Sequence, residues 1–161
     1  MIVGLKEGKF FSEGKFWSSL FNNYGIVLVD TGVTKEYAER CTDNFNDLPY
    51  LTMDELCRGV KLFMLDTLEG DKTFGQFSEK SFPKEVLSYI VLNDLRVNLP
   101  PDRETIGYQL EFDCKWQEDL RLEIDIIANK AVFIGKYDPQ PLSMGPGARS
   151  GSRKLYHKAL I

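Results

Sequence analysis

Between residues 107 and 138 apolar and polar residues alternate through two runs parted by a short polar turn. Tyr108, Leu110, Phe112, Cys114 and Trp116 hold the even positions of the first run, with Gln109, Glu111, Asp113 and Lys115 between them. Leu120, Leu122, Ile124, Ile126 and Ala128 hold those of the second, with Arg121, Glu123 and Asp125 between them until Ile127 breaks the pattern. Strand side chains alternate between faces, so the pattern predicts an antiparallel hairpin with one apolar side and one wet, largely acidic side. Residues 131–134, after an Asn129-Lys130 turn, supply a further strand.

The first thirty residues place polar turns between short aromatic and β-branched runs, which predicts a meander of about three strands closed by Gly32. From Thr34 the period lengthens. Tyr37, Cys41, Phe45 and Leu48 share one side of a helix over 34–48, ended by Pro49. A second helix over 53–69 opens on Thr52 and Glu55, which fit a capping box, buries Leu56, Val60, Phe63, Met64 and Leu68, and stops at Gly70. Residues 87–99 mix helical and alternating spacing; β-branched residues and the closing Pro100-Pro101 favour a strand. Together the elements predict an α+β fold, a twisted antiparallel sheet packed against two or so helices, with residues 1–138 as a single domain.

Composition narrows the functional classes. A chain of 161 residues with 43% hydrophobic content supports one domain with a substantial core. It has no apolar run of the roughly 20 residues a spanning helix needs, and Lys6, Glu7 and Lys9 interrupt the start where a secretory signal would be apolar. A cytoplasmic protein is expected, with Cys41, Cys57 and Cys114 as reduced core thiols. The net charge of −4 is uneven. Residues 139–161 form a basic, Gly/Pro/Ser-rich C-terminal extension holding Arg149, Arg153, Lys154 and Lys158, which leaves about −8 on the body, a charge that repels nucleic acid.

Candidate chemistry is sparse. His157, the one histidine, lies in the basic extension without a placed partner, so no nucleophilic triad is expected. No His or Cys spacing suits a metal, Gly145-Pro146-Gly147 lacks the rest of a phosphate loop, and no cofactor is expected. Trp17 and Trp116 read as core residues. The acidic residues Glu111, Asp113, Glu118, Asp119, Glu123 and Asp125 form the candidate partner-binding face. A turn centred near Glu118 sets Asp113 across from Glu123 and Glu111 across from Asp125, an unfavourable pairing that a basic partner would relieve. A register two residues away sets Asp113 opposite Arg121, or Lys115 opposite Glu123, and makes the face salt-bridged surface.

Phe112-x-Cys114-x-Trp116-x-Glu118, followed by Val132-x-Ile134-Gly135-x-x-Asp138, resembles a family of small bacterial domains found beside polymorphic-toxin and contact-dependent growth inhibition genes. The resemblance implies an immunity protein that binds and neutralises a cognate toxin, without enzymatic activity. Gln117 and Asp119-Leu120 depart from the family's pattern around the tryptophan and glutamate, so no role of that motif carries over. An acidic body suits a basic nuclease toxin. The alternatives are a small carboxylate-based hydrolase or ligand-binding enzyme, marked by a pocket with two converging carboxylates and a displaced pKa, and a structural adaptor that pairs through a strand edge.

Overall fold

Period-two runs occupy both ends of residues 1–138 and a helical stretch the middle, and the fold keeps that division. The computed structural model describes residues 1–98, 102, 104–138 and 156. Strands β1 (Ile2–Glu7), β2 (Phe11–Ser18) and β3 (Asn23–Asp30) form the N-terminal meander, and helices α1 (Lys35–Asn46) and α2 (Tyr50–Thr67) follow. A 3-10 segment, Pro83–Tyr89, leads into β4 (Ile90–Val97), β5 (Gly107–Cys114), β6 (Arg121–Ile127) and β7 (Lys130–Lys136).

The seven strands make one sheet in chain order. Every neighbouring pair is antiparallel except β3 and β4, which run parallel. The sheet is therefore mixed, where the sequence predicts an antiparallel one. A parallel pair needs a long crossover, and both helices and the 3-10 segment lie within it. The α+β organisation stands, with the ambiguous stretch before Leu99 divided between 3-10 helix and strand.

The helices cover one face of the sheet, called inner below. Phe45 of α1 packs edge-on against Phe16 of β2 and Tyr108 of β5, and Leu110, Phe112, Leu122 and Ile124 are buried in the same core. Burying each such side chain stabilises the fold by about 1.5–3 kcal/mol. Thr34 caps α1, its hydroxyl accepting from Tyr37 N–H at 3.2 Å. Thr52 does not cap α2, which starts two residues earlier with Pro49 as its N-cap. Its hydroxyl donates instead to the Asn129 carbonyl at 2.6 Å.

That bond belongs to a clamp on the β6–β7 turn. Ala128 and Asn129 both have positive φ, the two-residue turn that matches strand twist, one position earlier than the spacing suggests. Asn44 of α1 donates to the Asn129 side chain and accepts from the Tyr108 hydroxyl, both at 2.8 Å. Cys41, Cys57 and Cys114 are free and buried, and burial pushes their thiols up to about 12, 11 and 12.

Among the described residues no helix is long and apolar enough to cross a membrane. Tyr156 docks on the body, its N–H donating to the Ile134 carbonyl at 2.9 Å and its hydroxyl to Asp66 at 2.5 Å. The remainder of 139–161, with the basic residues, His157 and Gly145-Pro146-Gly147, lies outside the described residues.

Candidate functional site

Each strand turns its other side chains to the outer face of the sheet. One extra residue decides what stands there on β4. Leu92 pairs with Phe112 and Leu95 with Leu110, both toward the helices, although strict alternation would put Leu92 and Leu95 on opposite faces. A bulge at Asn93 absorbs the difference. Without it Asp94 would follow Leu92 into the core; with it Asp94 stands opposite Glu111 of β5, and Arg96 opposite Gln109, on the outer face. Asn93 donates to Asp113 at 2.7 Å, which holds the bulge to its neighbour strand.

These residues surround a cleft of about 190 Å³. Asp94, Arg96, Gln109, Glu111 and Glu123 supply its polar lining, and Phe11, Leu28 and Tyr137 apolar parts of it. Arg96 donates to Asp30 at 2.6 Å, Asn98 donates to the other Asp30 oxygen at 2.7 Å, and the guanidinium lies 5.9 Å from the centre of the Phe11 ring. Arg121, half exposed at the rim, donates to Glu111 at 2.8 Å. Burial first, then the negative Glu111 and the hydrogen bond the two carboxyls share, raise the Asp94 pKa to about 8; Arg96 and Arg121 pull it the other way. The pair therefore keeps a proton at neutral pH.

Two donors in the lining have no protein partner. Arg96 Nε and Gln109 Nε2 make no hydrogen bond to another protein group, though the residues are only 7% and 5% exposed. A buried donor left unmade costs about 1–3 kcal/mol, which native proteins rarely carry without a use.

The predicted acidic face divides. Asp113, Glu118 and Asp119 are exposed, but Glu111 is buried and Glu123 and Asp125 are only 1% and 0% exposed. The odd positions of the hairpin are thus a mostly buried polar layer and not a wet surface. The register is the one that sets Asp113 opposite Arg121 and Glu111 opposite Glu123. Lys115 turns away, donating to the Ser88 carbonyl at 2.9 Å. The cleft residues that sequence reasoning missed are Asp94, Arg96 and Gln109. Their signal was two charged residues, Asp94 and Arg96, inside a strand whose other residues, Asn93 apart, are apolar.

The other half of the outer face is open and carries an exposed apolar row, with Lys15 opposite Ile26. Trp17 and Tyr24 are cross-strand partners in edge contact at 5.2 Å, and with Ile26 and Val91 they are exposed, so Trp17 is not the core residue its strand position suggests. Trp116 does pack inward, on Phe63, and donates to Thr67 at 2.9 Å. Ile26 pairs directly with Asp94 across β3 and β4, so the apolar row runs into the cleft.

Among the described residues no group of three or more His, Cys, Asp or Glu side chains is placed to hold a metal. No curated protein and no solved structure matches the chain. A family model described as a domain of unknown function, DUF6985, matches residues 5–141, and the chain belongs to that family.

Proposed function

We propose that the protein is a non-enzymatic binding protein of the cytoplasm that captures and neutralises a basic protein partner, a cognate toxin such as a basic nuclease, through the outer face of its sheet. The observation that carries this reading is the junction of two unlike surfaces: the exposed row Trp17, Tyr24, Ile26 and the carboxylates of the cleft meet where Ile26 pairs with Asp94. Exposed aromatic residues beside desolvated charge are the usual makings of an interface hot spot. A net acidic body speeds encounter with a basic partner and disfavours acidic ones. Asp113, Glu118 and Asp119 extend the negative field around the end of the hairpin. Co-expression tests the reading: cells producing the protein should survive the product of the adjacent gene, and cells producing the Trp17→Ala, Tyr24→Ala double variant should not.

One observation favours a second reading. Two adjacent carboxyls, one holding a proton near neutral pH, are the equipment of acid–base hydrolysis. Turnover of a small ester or glycoside that Asp94→Asn abolishes would establish that reading and displace the first.

A further inference from the structure

The partner proposed above must present something specific to the cleft, and the lining says what. Its formal charge is negative, with Asp94, Glu111 and Glu123 against Arg96. It also holds two buried donors, Arg96 Nε and Gln109 Nε2, that make no hydrogen bond to another protein group. A purely cationic ligand would complement the net negative lining and leave those donors unmade; a purely anionic one would face Glu111 and Glu123.

We infer that the cleft is the receptor for one arginine residue of the partner, its guanidinium meeting Asp94 and Glu111 and a neighbouring peptide carbonyl accepting from Arg96 Nε and Gln109 Nε2. Asp94 and Glu111 stand side by side across β4 and β5. A planar guanidinium offers parallel N–H groups to such an arrangement, which an ammonium does not. A residue embedded in a chain brings a cation and a carbonyl acceptor together. The cleft, with room for about six waters at some 30 Å³ each, is large enough for one such side chain.

The inference rests on the partner reading but fails separately from it. The probe is N-acetylarginine N-methylamide, titrated into the full chain by NMR, with the citrulline counterpart as its uncharged match. The arginine probe should bind in about the millimolar range and shift the amide signals of Asp94, Arg96, Gln109 and Glu111, with citrulline at least about tenfold weaker. Gln109→Leu removes no internal hydrogen bond, so the variant should fold and lose about tenfold in arginine affinity. Equal binding of the two probes, shifts confined to other strands, or an unchanged Gln109→Leu affinity would overturn the inference. If the protein still protects against its partner in that event, the partner reading survives; if the probe binds and no protection is found, that reading fails alone.

Discussion

Asp94 and Glu111 face each other across β4 and β5, and their carboxyls share a hydrogen bond because one extra residue, Asn93, shifts the phase of the strand between Leu92 and Leu95. Much of the outer face depends on that pairing.

Stability should fall as this pair ionises. A carboxyl whose pKa rises on folding from 3.8 to about 8 favours the native state while protonated. That contribution is complete below the ordinary value and is lost as pH rises through about 8. Urea midpoints measured from about pH 5 to pH 9 should decline for the parent relative to Asp94→Asn, which has no proton to lose. Parallel curves would mean that Asp94 is not perturbed.

The bulge itself can be removed. Deleting Asn93 makes Leu92 and Asp94 successive residues opposite Phe112 and Glu111, so Asp94 stays outward and Leu95 and Val97 inward, and the variant should fold at a cost of about 1–3 kcal/mol. Asn93→Ala keeps the residue count and loses only the bond to Asp113, about 1 kcal/mol. Failure of the deletion variant to fold in chemical denaturation would show that Asn93 is not the extra residue of the strand.

Thr52 separates two roles cleanly. As a helix cap it would be replaced well by Asp, one of the best caps; as a donor to the Asn129 carbonyl it would not, since a carboxylate has no proton to give. Thr52→Val and Thr52→Asp should each destabilise by about 1–3 kcal/mol. Parental stability in the Asp variant would restore the capping role.

Charge reversals on the hairpin should diverge. Glu123→Lys places an ammonium where the side chain is nearly sealed from water and should cost more than about 4 kcal/mol. Asp113→Lys sits in solvent and should cost about 1 kcal/mol, for the bonds with Asn93 and Arg121. A free acidic face would tolerate both, and thermal melts distinguish the cases.

The hairpin, the N-terminal meander and both helices were legible because each has a clean period: Tyr108 to Cys114 in twos, Tyr37, Cys41 and Phe45 in fours. The parallel pairing of β3 with β4 was not drawn, although the two predicted helices between the N-terminal meander and the next strand are the long connection that a parallel crossover needs. Alternation assigned Glu111, Glu123 and Asp125 to the correct side of the sheet. It could not say whether that side is covered, because period two separates faces without reporting their exposure. The same limit hid Trp17, on an open face, and the cleft, whose members Asp94 and Glu111 become neighbours only through the bulge. Thr52 misled because a hydroxyl three residues before a glutamate satisfies the capping pattern and still finds a better acceptor in the facing turn.

Capture of a basic partner through the outer face is tested most directly by titrating the purified chain with the product of the adjacent gene, beside the Trp17→Ala, Tyr24→Ala double variant. Both residues are exposed, so the variant should fold with stability within about 1 kcal/mol of the parent. Its affinity for the partner should be weaker by about 30-fold or more, the loss expected when hot-spot aromatic residues are removed. Equal affinity of parent and variant, or no binding by the parent, would contradict the claim.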